Sequence, residues 1–286
     1  MEDPIPLSSI YFGTTNKIPL SLGFVDGTAI VINFIGCSSN CSSCPWDANL
    51  DMRSARIVKW CGNEFVSVFD MYKPDMVFLN GGDFWRYRGL DKVLAVVTSL
   101  DTVKGSKIIP LNAPNDVLSN MFRVIEISDI VLVEVNRLVD MKLFENILRN
   151  FAVNKHFEIV LVEEDPASIE SLADTTIEIV TGLGLLIPLN IVSDILDTAL
   201  IHKSMSRLRE KYPLIHTLWT DLTEYSSVIC PYCKMPVVAR SGAQIVKMAI
   251  DNECRCKYCG NKIISSSRGY CRSRKPVKAT IIVPLT

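Results

Sequence analysis

The chain of 286 residues carries 30 basic and 31 acidic side chains, for a formal net charge of -1. This balance argues against binding nucleic acid over the whole surface. Hydrophobic residues make up 48% of the chain and charged residues 21%, so a full core can form and disorder is not expected. The length suits one large domain with a small appendage.

The start of the chain and its cysteines indicate a compartment. Residues 1–6 lack the basic and then apolar pattern of a signal peptide. The longest apolar runs are strand-sized, so no membrane span and no membrane partner are expected. Ten cysteines in such a chain favour reduced thiols and metal ligation over disulfides. We therefore expect a cytoplasmic protein.

From residue 28 onward, short apolar runs alternate with stretches of helical periodicity. The runs that predict strands are 28–35, 76–79, 107–111, 130–135, 158–162, 185–191 and 215–219. The stretches that predict helices include 90–100, 117–125, 138–151, 167–181 and 198–211. This alternation predicts βαβ units and a parallel sheet. Residues before 28 are interpreted as a short leader with turns at Gly13 and Gly23.

Six or seven such units suit an open or closed barrel better than a short doubly wound sheet. We predict an α/β fold, with a partial (β/α)6 TIM-like barrel in residues 1–224 and a small zinc-ribbon-like domain in residues 225–286. Functional residues in such folds lie at the carboxyl ends of the strands. The loop that begins at Cys37 follows the first predicted strand, and the run 80–83 follows the second. Both are therefore expected at the same edge.

Three cysteines, Cys37, Cys41 and Cys44, follow the first predicted strand with the spacing C-x3-C-x2-C. Thiolates hold iron–sulfur clusters, and a four-iron cubane usually takes four of them. Three thiolates leave one iron open for a small molecule, as in other catalytic metal sites. The alternative is a zinc site, for which Asp47 would be the nearby fourth ligand. The close spacing at a strand end favours a reactive cluster.

Two C-x2-C pairs lie near the end of the chain, Cys230 with Cys233 and Cys256 with Cys259, and 22 residues separate them. Four thiolates at this spacing predict a zinc ribbon. The alternatives are an auxiliary iron–sulfur cluster and ligation through Cys254. A metal would stabilise a segment that is too small to bury enough core alone.

The other candidate ligands have no such spacing. The three histidines, His156, His202 and His216, are interpreted as structural or surface residues. Cys61 and Cys271 are more often inert than reactive, although either thiol could donate a hydrogen atom to a radical.

Residues 26–47 resemble the opening of radical S-adenosylmethionine (SAM) enzymes, especially the branch that activates glycyl-radical enzymes. The match consists of an Asp-Gly pair before the strand, Gly36, and the three closely spaced cysteines. The resemblance implies that these cysteines hold a [4Fe-4S] cluster whose open iron chelates the amino and carboxylate groups of SAM. The family usually has an aromatic residue before the third cysteine, where this chain has Ser43, with Trp46 nearby.

Two further groups of residues match that family in part. The run Asn80-Gly81-Gly82-Asp83 resembles the family's Gly-Gly-Glu motif, whose backbone meets the SAM ammonium, although an ordinary βα turn is the alternative. Glu134 and Asn136 stand where activating enzymes carry Asp-x-Lys, although polar caps of a strand end are the alternative. The cofactor-binding residues implied by the resemblance are Asn80, Gly81, Gly82, Asp83, Glu134 and Asn136. Asn112 and Asn190 are further candidates.

With its cysteine-rich tail, the chain is similar to pyruvate formate-lyase activating enzymes and to the AmmeMemoRadiSam-type group. The resemblance implies an oxidoreductase in which an external donor such as ferredoxin or flavodoxin reduces the cluster. SAM is then cleaved reductively to a 5′-deoxyadenosyl radical, which abstracts a hydrogen atom. Its target would be a glycine residue of a partner protein, a peptide or a small molecule.

The alternative function is a non-catalytic zinc-binding module. In that case the N-terminal cysteines bind structural zinc, and the C-terminal ribbon and basic tail interact with nucleic acid or protein. Few aromatic residues interleave the basic residues after position 261, which disfavours this alternative.

Overall fold

A sheet of nine strands organises the chain in the computed structural model, which describes residues 7–23, 27–38, 60–162, 166–192, 198–218, 223–241, 244–271 and 283–285. The described residues form twelve strands, of which nine belong to this sheet and three to a smaller one. They are β1 (Leu7–Thr14), β2 (Thr28–Phe34), β3 (Met76–Asn80), β4 (Val103–Ile108), β5 (Ile130–Val135), β6 (His156–Leu161), β7 (Leu189–Val192), β8 (Ile215–Leu218), β9 (Val228–Ile229), β10 (Pro236–Ser241), β11 (Gln244–Met248) and β12 (Val283–Leu285). The order across the large sheet is β12-β1-β2-β3-β4-β5-β6-β7-β8. Neighbours from β2 to β8 are parallel, whereas β1 is antiparallel to β2 and to β12.

Within the described ranges, six α-helices connect the seven parallel strands, one between each pair that is consecutive in the chain. The helices are α1 (Gly62–Tyr72), α2 (Leu90–Ser99), α3 (Asn115–Ile127), α4 (Met141–Phe151), α5 (Pro166–Gly182), α6 (Thr198–Lys211) and, after β8, the short α7 (Thr223–Ser226). No helix in these described ranges is both long enough and apolar enough to span a membrane.

The six connecting helices pack on one face of the sheet. Phe65 of α1, Val93 of α2 and Phe144 of α4 share a core with alternate strand residues. Among the described residues, the core on the opposite face contains no side chain from these helices. A doubly wound sheet carries helices on both faces, whereas a (β/α) barrel carries them on the outside alone. The arrangement agrees with the predicted partial barrel, and the described sheet is open between its edge strands, β8 and β12.

Strand alternation gives the inner face its polar side chains. All six residues of β5 are buried, and Val131, Val133 and Val135 face the helices. Its other residues, Ile130, Leu132 and Glu134, therefore point to the inner face. An acidic side chain is thereby buried inside the barrel, where it requires a partner.

Most parallel strands lie within a few residues of the positions predicted from the sequence. The strand β1 was not predicted, and β4 begins four residues before the predicted run 107–111. The predicted turn at Gly13 is wrong, because Gly13 lies in β1 opposite Ala29 of β2. Burial along β1 repeats every third residue, so the strand has no alternating signal. Gly105 interrupts the apolar pattern of β4 because the Phe78 ring fills its place, with Phe78 Cδ2 2.4 Å from where a Cβ would stand.

The chain after residue 227 forms a second, small sheet and then runs along the amino ends of the parallel strands. The order in this sheet is β11-β10-β9, and both pairings are antiparallel. Ser265 N donates to Leu186 O at 2.9 Å, and Ser267 N donates to Val153 O at 2.6 Å. Both acceptors precede strands of the large sheet, which places this segment at the amino edge. The division at residue 225 stays a prediction, and β12 returns to the large sheet.

Glu158 binds the loop after β1 to the inner face of the sheet. Its carboxylate is fully buried and acts only as an acceptor when ionised. The donors are Ser21 N at 2.6 Å, Ser21 Oγ at 2.9 Å, Leu22 N at 2.9 Å, Gly23 N and Asn190 Nδ2 at 2.9 Å. Burial alone would raise the pKa of Glu158, but donation from His156, Ser21 and Asn190 outweighs it and holds the pKa below its usual range.

Asn190 belongs to this network. Its Nδ2 also donates to Pro19 O at 3.2 Å. Asn190 therefore fastens a loop, and the expectation that its amide meets SAM or substrate gains no support from these contacts.

Glu158→Gln is expected to destabilise the protein by about 2–4 kcal/mol, because it removes the charge from a buried acceptor and turns an NH2 group toward N–H donors. The folded-state pKa is depressed, so this stabilisation is present above the unfolded pKa of about 4.3 and is lost as pH falls through the folded value. Urea unfolding at pH 7 and at pH 4 measures both effects. The exposed Glu145→Gln serves as control and should change the unfolding free energy by less than about 0.5 kcal/mol. Equal changes in unfolding free energy for Glu158→Gln and Glu145→Gln would show that the buried Glu158 network does not stabilise the fold.

Candidate active site

The carboxyl ends of β2 and β3 bring the two N-terminal motifs into contact. The strands pair with Asn33 opposite Asn80, so the residues that follow them lie side by side. A Cβ on Gly82 would lie 2.3 Å from Cys37 Cβ, 2.6 Å from Cys37 Sγ and 2.6 Å from Gly36 O. Only glycine allows this approach. The backbone of the Gly-Gly run therefore backs the first cysteine directly.

Asp83 fastens the beginning of the cysteine loop. Its buried carboxylate accepts from Ser38 N at 3.1 Å and from Ser38 Oγ. Arg86 Nε forms an ion pair with Asp83 Oδ2 at 2.6 Å, although without the alignment of a hydrogen bond. Arg86 Nη2 donates to Asn112 O at 3.1 Å. The carboxylate thus joins the exits of β2, β3 and β4.

Aromatic side chains beneath this contact hold it in place. The rings of Phe34 and Phe84 stack with centroids 4.5 Å apart, and Trp85 is fully buried. The Tyr87 hydroxyl donates to Ile35 O. Burial, together with Asp83 and Cys37, raises the pKa of Tyr87 to about 12, so the hydroxyl keeps its proton at neutral pH.

Two asparagines extend the polar surface below the loop. Asn80 Nδ2 donates to Asn33 Oδ1 at 2.7 Å, and Asn33 Nδ2 donates to Ser9 Oγ at 2.9 Å. Both asparagine side chains are buried on the inner face. Asn80 is therefore oriented by its neighbour rather than exposed on a loop.

A buried ion pair lies on the inner face of β4 and β5. Lys107 Nζ donates to Glu134 Oε2 at 2.7 Å, and the two side chains are 2% and 3% exposed. Asn136 Nδ2 donates to Glu134 Oε1 at 3.3 Å, and Leu138 N donates to Asn136 Oδ1 at 2.9 Å. The sequence interpretation missed Lys107 because it counted the residue within an apolar run. A lysine in a buried strand needs an acidic partner, and the glutamate of the next strand was the available signal.

The rest of the predicted cluster loop lies outside the described residues. These positions are Cys41, Ser43, Cys44, Trp46 and Asp47. Cys37 is described, and its thiol is free and partly exposed. The iron–sulfur ligand set therefore stays a prediction for which the structure positions one member.

The four C-terminal cysteines come together as one group. The sulfur atoms of Cys230, Cys233, Cys256 and Cys259 all lie within 4.8 Å of one another. The Sγ–Sγ distance is 3.7 Å both from Cys230 to Cys259 and from Cys233 to Cys256. Tetrahedral zinc with Zn–S bonds of about 2.3 Å requires about 3.8 Å between sulfurs. The donor set thus fits the predicted zinc.

Burial and backbone donors act on these thiols in opposite directions. Burial raises the pKa of Cys230 to about 12. Donation from the Asn261 backbone lowers the pKa of Cys259 to about 7. A bound dication would favour the thiolate at every position.

Cys254 is not an alternative ligand of this group in the structure, because it forms a disulfide with Cys271. The expectation that the cysteines remain reduced is therefore wrong for this pair. The fold brings their Cα atoms to 5.3 Å, a distance typical of disulfides. A separation of 17 residues gave no sign of this proximity.

Comparisons with known proteins add only distant structural similarity. No protein-family model matches the chain, and no curated protein matches it. The crystal structure of QueE from Escherichia coli is similar to 60% of this chain and 90% of that chain, with 13% identity and a TM-score of 0.35. A TM-score this low does not establish a shared fold. The candidate active site is therefore identified from the residues described above and not from this similarity.

Gly82→Ala is expected to reduce iron bound after reconstitution by at least about tenfold, because a methyl group collides with Cys37 and displaces the cysteine loop. Iron analysis of the purified variant measures the loss. The control is Gly182→Ala, where no heavy atom lies within 4 Å of the added methyl group. Iron retained by both variants at the parent level would show that the contact does not position the loop.

Cys256→Ser is expected to lose one equivalent of zinc and to lower Tm by roughly 5 °C or more, because structural zinc contributes folding free energy directly. Elemental analysis and a thermal melt measure the two effects. Cys61→Ser changes an exposed free cysteine and should leave both unchanged. Unaltered zinc content in Cys256→Ser would remove Cys256 from the ligand set.

Proposed function

We propose that the chain is a radical SAM enzyme that binds a [4Fe-4S] cluster through Cys37, Cys41 and Cys44 at the carboxyl edge of the sheet. The observation that carries the proposal is the contact between Gly82 and Cys37. It joins two motifs that were recognised separately in the sequence. An ordinary βα turn would not need a glycine packed on a cysteine of the neighbouring loop.

The residues present fit a cluster at this edge. Cys37 is a free thiol in a cradle that the Cβ of any residue other than glycine at position 82 would fill. When bound, the cluster and SAM supply one-electron cleavage of SAM to a carbon-centred radical that abstracts a hydrogen atom. An external donor such as ferredoxin or flavodoxin provides the electron.

The protein's own residues bind and orient these groups. Asp83 holds Ser38 and thereby the start of the cysteine loop, so we assign it a positioning role in addition to the cofactor contact predicted from the sequence. The backbone of Gly81 and Gly82 and the side chain of Asn80 are proposed to meet SAM.

The pair of Glu134 and Lys107 is proposed to orient polar groups of SAM together with Asn136. The lysine balances the carboxylate, so the pair places little net charge on the inner face. A neutral pair does not repel the carboxylate of SAM, whereas an isolated glutamate would. The side-chain amide of Asn136 donates to Oε1 of Glu134 and so orients the oxygen of that glutamate that Lys107 does not contact.

The hydrogen donor is proposed to be a glycine residue of a partner protein, a peptide or a small molecule, with the first of these corresponding to an activating-enzyme-like oxidoreductase. The C-terminal cysteines are proposed to bind zinc rather than an auxiliary cluster. Their segment lies at the amino edge of the sheet, opposite Cys37. A strand of six residues separates the edges by about 20 Å, so this metal is too far away to contact SAM.

A zinc-binding module that recognises nucleic acid is the second candidate. Tyr232 and Tyr258 lie in the two cysteine turns and are 52% and 43% exposed. Lys247 Nζ lies 5.6 Å from the centroid of the Tyr258 ring. Exposed aromatic rings beside basic residues are typical of surfaces that bind single strands. Zinc without iron in the purified protein would favour this candidate over the enzyme.

The experiment that tests the enzyme is anaerobic cleavage of SAM. After reconstitution with iron and sulfide and reduction with dithionite, the parent is expected to form 5′-deoxyadenosine from SAM. Cys37→Ala should reduce that product to the level without protein, while Cys61→Ala should retain it. Product formation by Cys37→Ala at the parent rate would contradict the proposal.

A further inference from the structure

A third group of metal-ligand side chains lies at the amino edge, apart from both sites described above. One ring nitrogen of His156 and the two disulfide-bonded sulfur atoms of Cys254 and Cys271 all lie within 4.8 Å of one another. The three side chains are fully buried. His156 begins β6, whereas both cysteines belong to the C-terminal segment. The group thus joins two parts of the fold.

The histidine is held as metal-binding histidines are held. Its Nε2 lies 3.2 Å from Glu158 Oε1, and an ionised carboxylate can only accept, so Nε2 carries the proton. In the neutral ring Nδ1 then carries the lone pair. Nδ1 is buried and has no hydrogen-bond partner among the described residues. A carboxylate on one ring nitrogen with the other nitrogen available is the usual outer-shell arrangement of a zinc histidine.

Charge also favours a dication at this position. Two thiolates, a neutral imidazole and a divalent cation sum to zero, so a metal complex can be buried without a net charge. Glu158 is already satisfied by the N–H groups of the loop at Ser21–Gly23 and by Asn190. The partly buried Arg240, whose Nη2 donates to Ser21 O at 2.9 Å, lies on the same side and balances that carboxylate.

We propose that His156, Cys254 and Cys271 form a second zinc site, which exists when the Cys254–Cys271 disulfide is reduced. The disulfide takes two electrons and two protons from a dithiol reductant, which becomes a disulfide itself. Binding of Zn²⁺ then releases the two thiol protons. Among the described residues the site has three ligands of this kind, so tetrahedral coordination leaves the fourth position to a small ligand such as water.

The consequence of this site is a redox-dependent fastening of the C-terminal segment to the barrel. In the oxidised form the two cysteines bind each other, and both lie within the same segment. In the reduced, metal-bound form each sulfur also shares a ligand set with β6. The segment is held at the amino edge in either form, but only the second form links it to the strand through a metal.

Cobalt titration of the full-length chain tests the proposal. The parent for this test carries Cys37→Ala, Cys41→Ala and Cys44→Ala, which removes the cluster thiols and makes the result independent of the proposed enzymatic function. The protein is freed of metal, reduced with dithiothreitol and desalted without oxygen. We expect two equivalents of Co²⁺ with thiolate charge-transfer absorption in the reduced protein, and one equivalent after oxidation of the Cys254–Cys271 pair alone, verified by mass spectrometry.

Variants assign the two equivalents. His156→Asn and, independently, Cys271→Ser should each bind one equivalent when reduced, while the exposed His202→Asn should bind two. Cys256→Ser should lose the other equivalent and keep the one that depends on His156. A single equivalent in the reduced parent overturns the proposal. Two equivalents retained by both His156→Asn and Cys271→Ser overturn it as well. Circular dichroism confirms that each variant is folded before titration.

Discussion

The absence of a side chain at position 82 is the constraint on which the carboxyl edge of the sheet depends. It lets the exit of β3 contact the exit of β2, with Cys37 against the Gly82 backbone. One residue later Asp83 binds Ser38, and Arg86 extends the contact to the chain after β4. The start of the cysteine loop is therefore positioned by its neighbouring strand. In the proposed enzyme, such preorganisation would keep the first cluster ligand in place without rearrangement.

Because the connecting helices pack on one face of the sheet, the other face is free to carry functional and structural polar groups. With α1 to α6 outside, the inner face can carry polar side chains that would be costly in a sheet covered on both faces. Near the carboxyl edge these are the asparagine pair and the ion pair of Lys107 with Glu134. The Glu158 network holds the loop after β1, and the cysteine-rich segment covers the amino edge. The candidate active site and the four-cysteine group thus occupy opposite edges of one sheet.

Local signals predicted much of this fold, and long-range contacts account for what they missed. The strands β2, β3 and β5 are largely apolar runs, because parallel strands are buried on both faces. Helical periodicity predicted five of the six connecting helices, α2 to α6, but not α1. The strand β1, which lies between β12 and β2, lacks that signal, and one of its two partners is far along the chain. Lys107 and His156 appear unremarkable in sequence, and only the fold brings them to Glu134 and to the pair of Cys254 and Cys271. The close approach of Gly82 to Cys37 follows from strand register, which the sequence did not specify.

The proposed function requires an iron–sulfur cluster with an open iron that SAM can occupy. Electron paramagnetic resonance of the anaerobically reconstituted and reduced protein, recorded before and after addition of SAM, tests it most directly. A [4Fe-4S]⁺ signal that changes on addition of SAM is expected, because SAM would bind the iron that lacks a cysteine ligand. A protein that forms no cluster, or a cluster whose signal is identical with and without SAM, would contradict it.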